Sequence, residues 1–290
     1  MKRPAVGRAA VKSTPRRSAT SRAARARGAD APIGVFDSGI GGLTVVQAIR
    51  AVLPREDIVY LGDTARIPYG TRSAETVRRY TAEMCDVVVE KGVKALVIAC
   101  NTASAVALEG IVERYDIPVI GVIEPSAGEA VRLSRSKKIG VIATEATSKS
   151  GAYTRALRML DPQVEVYTRA CPLFVPLVEE GWVDNAVALR SAELYLGSLR
   201  QSGIDTLILG CTHYPLLRGV ISRMMGKGVE LVDSAAAARS LQTVLRRKKL
   251  ERRTGRGSMS FFVTDAPERF VKVGGRFLGT DVDSAVRVER

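Results

Sequence analysis

The chain has 290 residues, 46% of them hydrophobic, and a formal net charge of +14. That length allows two domains or one large one with an ample core, and no apolar run approaches the roughly 20 residues a membrane span needs. Four scattered cysteines, at 85, 100, 171 and 211, form no CxxC pair, which argues against a disulfide framework or a structural zinc site.

The charge is unevenly spread. Residues 1–28 hold nine basic side chains and no acid, and without them the chain carries only +5. Rich in Ala, Ser and Arg and without a hydrophobic period, this segment reads as a disordered basic tail over residues 1–30. It lacks the apolar core of a secretory signal, although its composition is also that of an organellar transit peptide. Such a tail can contact nucleic acid or an acidic partner by counterion release, although the plainer reading is a solvated tail.

From Ala31 onward strands and helices alternate. Predicted strands are 33–36, 58–61, 95–99, 119–122, 138–143, 164–167, 206–209, 229–232 and 261–263. Between or after them fall predicted helices 43–52, 73–91, 103–115, 125–135, 148–160, 183–202, 215–225, 235–249 and 267–278. The alternation implies an α/β fold with parallel sheets covered on both faces. Ligands in such folds bind beyond the carboxyl ends of the strands.

Polar groups gather at those ends. The first strand runs into "FDSGIGGLTV" (36–45), where glycines let backbone approach a ligand and a helix N-terminus follows. The second runs into "GDTARIPYG" (62–70), which puts Asp63 21 residues after Gly42. A dinucleotide site would want G-x-G-x-x-G, and the chain has G-x-G-G and no P-loop. "ALVIACNT" (95–102) and "TLILGCTH" (206–213) form an internal repeat in which an apolar strand ends on Cys100 or Cys211. Buried core cysteines would account for either thiol alone, but not for the Asn-Thr and Thr-His that follow. The chain's one histidine, His213, lies two residues past Cys211.

Two facing thiols allow three chemistries. A Cys–His pair could act as a hydrolase nucleophile, which leaves the second thiol without a task. A redox disulfide lacks CxxC spacing. Two general bases on opposite faces of one carbon use both, one removing a proton and the other returning one, provided a thiol ionises near neutral pH.

The motifs "GVFDSGIGGLTV", "GDTARIPYG", "ACNTAS", "PVIGVIEP", "CPLFVPLVEEG" and "GCTHYPLL" together resemble the glutamate racemases of the aspartate/glutamate racemase family, over roughly residues 32–279. The aspartate racemases usually carry Glu where this chain has His213. The resemblance implies two similar doubly wound domains with parallel sheets facing across a central cleft. Residues 31–121 plus 233–290 would form one domain and 122–232 the second, inserted into the first. It implies cofactor-independent interconversion of L- and D-glutamate by a cytoplasmic homodimer, supplying D-glutamate for peptidoglycan, with no metal and no membrane.

Carried over by residue, the resemblance implies Cys100 as base toward D-glutamate and Cys211 toward L-glutamate. Asp37 would assist Cys100, and His213 and Glu179 would stand beside Cys211. Asp37, Ser38, Pro68, Tyr69, Gly70, Asn101, Thr102, Thr212 and His213 would hold the substrate, through hydroxyls, an amide and backbone N–H groups. Asp63 would be a supporting acid, with turn capping as its other reading. For Glu179 the other reading is surface helix charge, and Glu180 is adjacent. Cys85 and Cys171 read as structural. Two departures are Ile67, where many members have a third Cys, and Ser126, read as a conservative loop change. A second reading from another class is an inactive, racemase-like protein that docks nucleic acid or an acidic partner through its tail.

Overall fold

A computed structural model describes residues 28–289. The basic tail at 1–27 lies outside the described residues.

The first half of the chain alternates β1 (Ile33–Asp37), α1 (Leu43–Val52), β2 (Ile58–Gly62), α2 (Ala74–Glu90), β3 (Ala95–Ile98), α3 (Asn101–Arg114), β4 (Val119–Gly121) and α4 (Ile123–Leu133). A second run follows: β5 (Lys138–Ala143), α5 (Glu145–Ser150), α6 (Ala152–Leu160), β6 (Glu165–Ala170), α7 (Phe174–Glu179), α8 (Ala186–Gln201), β7 (Thr206–Gly210), α9 (Arg218–Met225) and β8 (Glu230–Val232). The chain ends with α10 (Ala236–Arg247), β9 (Met259–Val263), α11 (Pro267–Leu278) and β10 (Val286–Arg287).

Two parallel sheets result, ordered β10-β9-β2-β1-β3-β4 and β6-β5-β7-β8. In each, one strand is followed by a neighbour on one side and a later neighbour on the other. The order therefore reverses between β1 and β3 in the first sheet, and between β5 and β7 in the second. Crevices open at such switch points, outside the carboxyl ends of the strands. β1, β3 and β7 are buried along their whole length, which is why they read as unbroken apolar runs. One apolar cluster continues from Ile33 and Val97 of the first sheet to Leu209 and Leu217 beside the second. Each large apolar side chain so buried contributes about 1.5–3 kcal/mol.

Several expectations need correction. The single helix expected over 148–160 is two, broken at Gly151, which adopts a left-handed φ of +66°. Ser126 is not in a loop: it lies in the first turn of α4, fully buried, and its Oγ donates to Val122 O at 2.7 Å. Helix 215–225 begins with a 3-10 turn at Tyr214–Leu217. α7 and β10 were not expected at all.

Candidate active site

The two switch points face each other across a cleft of about 360 Å³. Cys100 and Cys211 both line it, each just past a strand end, the first from β3 and the second from β7. Ser38, Pro68, Tyr69, Gly70, Asn101, Thr102, Glu179, Thr212 and His213 line it too. Asp37 and Asp63 do not reach the lining.

On the first wall Cys100 caps α3: its Sγ accepts the N–H of Ala103 at 3.4 Å and donates to Ser38 Oγ at 3.3 Å. Burial and the nearby Asp37 carboxylate push the thiol up to about 12, against the opposing pull of Ser38 and the Ala103 N–H. Cys100 is therefore a thiol at neutral pH. Asp37 is buried behind it, with Oδ2 accepting from Gly39 N at 2.9 Å and Oδ1 lacking a partner. Burial raises this carboxyl, and His213 and the backbone N–H groups of 38, 39 and 42 hold it back.

On the second wall Cys211 Sγ lies 4.0 Å from His213 Nδ1. His213 Nε2 lies 3.4 Å from Glu179 Oε1, in ion-pair range though off the line of a hydrogen bond. Burial opposes protonation of the imidazole, but Cys211, Glu179 and Asp37 outweigh it and raise it to about 10. His213 holds Glu179 below the usual carboxylate range despite burial. The wall is shaped by a glycine: a Cβ on Gly41 would stand 2.3 Å from Thr212 Oγ1 and 2.4 Å from His213 Nδ1. Thr44 ties the two walls, its Oγ1 donating to Thr212 O at 3.1 Å.

Asn101 and Thr102 are already engaged across the cleft. Asn101 Nδ2 donates to Ser234 Oγ at 3.0 Å and its Oδ1 accepts from Tyr153 OH at 2.6 Å. Thr102 Oγ1 is 3.0 Å from both Thr144 Oγ1 and Thr147 Oγ1. Gly70 packs on Thr144, where an added Cβ would approach to 2.7 Å. Asp63 is fully buried among three donors: Tyr69 OH at 2.5 Å, Arg66 Nε at 2.8 Å and Thr264 Oγ1 at 2.8 Å. Its contacts brace Tyr69 and the 62–71 loop. Glu179 faces His213, whereas Glu180 is absent from the lining. Cys85 and Cys171 are fully buried in apolar packing.

Thr144 and Glu145, beyond β5, and Pro172, Val175 and Pro176, around α7, also line the cleft and went unnoticed in the sequence. Their signal was available: Thr144 directly follows the strand 138–143, so the strand-end rule reaches it. Among the described residues the lining includes no Lys or Arg.

Comparison with known proteins bears on this cleft. Residues 42–241 match the family model described as Asp/Glu/Hydantoin racemase. A glutamate racemase of Geobacter metallireducens is 54% identical over 258 residues, covering 88% of this chain and 96% of the relative. The crystal structure of glutamate racemase isoform RacE1 from Bacillus anthracis superposes with a TM-score of 0.87 at 41% identity, covering 89% of this chain and 97% of that one. That of a Francisella tularensis glutamate racemase in complex with D-glutamate superposes at 0.84, with 41% identity and coverage of 90% and 98%.

Proposed function

The chain belongs to the Asp/Glu/hydantoin racemase family and is an amino-acid racemase, and from that premise we propose that it interconverts L- and D-glutamate by proton transfer between two cysteines. The observation that carries the mechanism is the pair of thiols on opposite walls of one cleft, each from a different sheet.

Cys211 acts on L-glutamate. Its sulfur shares a proton with His213, and Glu179 supports the charge on the imidazole. The Cys211 thiolate takes the α-proton while Cys100, resting as a thiol, gives its proton to the other face of Cα. The product is D-glutamate, Cys211 is now the thiol and Cys100 the thiolate. From D-glutamate the same steps run in reverse, with Asp37 positioned behind Cys100 to manage its proton. The proton that leaves Cα has a sulfur to enter, and the proton that replaces it has a sulfur to leave, so the reading needs no cofactor. Ser38, Asn101, Thr102, Thr212 and the backbone of 68–70 supply donors and acceptors for the two carboxylates and the ammonium.

The unit carrying β1–β4, β9 and β10 (31–121 plus 233–290) and the inserted unit 122–232 would act as the two walls. The reading also includes a homodimer in the cytoplasm supplying D-glutamate for peptidoglycan, and leaves the nine-cation tail able to contact nucleic acid. A complete set of acid–base groups in the cleft disfavours an inactive binding protein. Incubation with L-glutamate in heavy water, without added cofactor, should yield D-glutamate carrying deuterium at Cα. Formation of D-glutamate that keeps the original α-hydrogen in every early turnover would refute the two-base route.

A further inference from the structure

His213 lies in the loop after β7 of the second sheet, yet part of its surroundings comes from the helix that follows β9 of the first. α11 reaches across toward this wall with three side chains, one of them against His213 itself. Arg269 Nη2 donates to Glu179 Oε2 at 3.4 Å, while the other oxygen of that carboxylate, Oε1, lies 3.4 Å from His213 Nε2. Phe277, buried, sets its ring edge-on to the imidazole with centroids 5.2 Å apart. Arg276 lies against the backbone just past α7, so close that a Cβ on Gly181 would stand 2.6 Å from its Nη1. The charged or titratable groups facing His213 are Cys211 from its own loop, Glu179 from α7 and Asp37 from β1; Arg269 reaches it only through Glu179.

We propose that Arg269 is a positioning residue for the reaction: by holding one oxygen of Glu179 it keeps the other turned toward His213. The proposal rests on the reading of His213 as the proton partner of Cys211. Glu179 alone is a long side chain with several rotamers, and among the described residues only Arg269 and His213 meet its carboxylate.

Two effects of removing Arg269 oppose each other. Losing a cation, by charge alone, would make His213 easier to protonate. Losing the orientation of Glu179 would make it harder. Arg269 has a side chain 61% exposed, so water screens its charge, whereas the Glu179–His213 contact is largely shielded. Orientation should therefore dominate, and the sign of the change separates a positioning role from a simple countercharge.

The chain's single histidine makes the test direct, because its ring nitrogens are the only imidazole signals in the protein. A pH titration by NMR of protein labelled at histidine nitrogen should be made for the unchanged protein, Arg269→Gln, Arg269→Lys and Arg276→Gln. Arg269→Gln should lower the midpoint of His213 by about one unit, a tenfold loss of proton affinity. Arg269→Lys should recover at least half of that shift, and Arg276→Gln should leave the midpoint in place. An unmoved or raised midpoint in Arg269→Gln, an equal fall in Arg276→Gln, or no recovery with Lys would each overturn the proposal. The titration uses no substrate, so it stands or falls apart from racemisation of glutamate, which the unchanged protein reports in its own assay. Where that activity is present, the alkaline limb of kcat with L-glutamate should move with the midpoint.

Discussion

The hydroxyl of Tyr153 donates to Oδ1 of Asn101 at 2.6 Å, joining α6 of one unit to the residue directly after the Cys100 thiol of the other. Both side chains are buried. Tyr153→Phe would leave Oδ1 without its donor, at a cost of about 1–3 kcal/mol. Urea denaturation should register that loss. Racemisation should fall as well, since the amide beside Cys100 would no longer be held. A variant as stable and as active as the parent would mean that water replaces the phenol without penalty.

Cys100→Ser and Cys211→Ser should each abolish racemisation, because a serine hydroxyl is far too weak an acid to stand in for a thiol. Enantiomers have equal free energy, so kcat/KM must be the same in both directions for any variant, and the two lesions cannot be told apart by that ratio. Elimination from a glutamate bearing a leaving group next to Cα needs only one base and does separate them. Cys100→Ser should retain it for the L-form and Cys211→Ser for the D-form. Retention of racemisation near the parent rate in either variant would make that cysteine structural.

His213 is raised to about 10 in the fold, from an ordinary value near 6.5. Between those values the folded protein binds a proton that the unfolded chain does not, so stability is fully present below about pH 6.5 and is lost as pH rises toward 10. From pH 7 to 8, below the range where cysteines of the unfolded chain ionise, the unfolding free energy should fall. In His213→Asn that slope should flatten, and kcat with L-glutamate should drop about 10²–10⁴-fold. Identical pH slopes in the two proteins would remove His213 from the account.

A buried lysine ties the first described residues to the sheet. Lys94 Nζ bonds to the carbonyl of Ala29 and to Glu56 Oε2, and both charged side chains are shielded from water. Asp30 also lies 3.6 Å from Arg252. A chain beginning at Gly28 keeps these contacts; one beginning at Pro32 retains every motif but strips an acceptor from the ammonium. The shorter form should be less stable by about 1–3 kcal/mol than the longer one in thermal or urea unfolding. Equal stability would show that Ala29 contributes nothing to holding Lys94.

Much of the site could be read from sequence because it sits where strands end. β5 and helices α1 and α11 fall at their expected bounds, and the repeated strand-thiol pattern located both Cys100 and Cys211. α7 escaped notice because Pro172 and Pro176 flank or interrupt its six residues. Pro176 is tolerated since it sits in the first turn, where no intrahelical N–H bond is required. β10 has only two residues, both exposed, and carries no period to detect. The break at Gly151 hid in a continuous amphipathic pattern because glycine alone does not end a helix. Asp63 had the look of a cleft acid, and only the three-dimensional arrangement of Tyr69, Arg66 and Thr264 around it gives it a bracing task.

The recurrence of one strand ending on both walls has a further consequence for handedness. Across the cleft, Cys100-Asn101-Thr102 opposes Cys211-Thr212-His213, a sulfur followed by hydrogen-bonding side chains in either case. Proteins are built from one hand of amino acid and commonly distinguish mirror-image ligands, but a cavity whose opposite sides repeat the same order of groups approximates an internal mirror at the carbon between them. On the proposed reading, left and right forms then each present their α-hydrogen to a sulfur. What remains unequal is the chemistry behind each sulfur, a buried carboxyl on one side and an imidazole with its carboxylate on the other. On the proposed reading, that inequality keeps the resting proton on the sulfur itself on one side and on the sulfur–imidazole pair on the other.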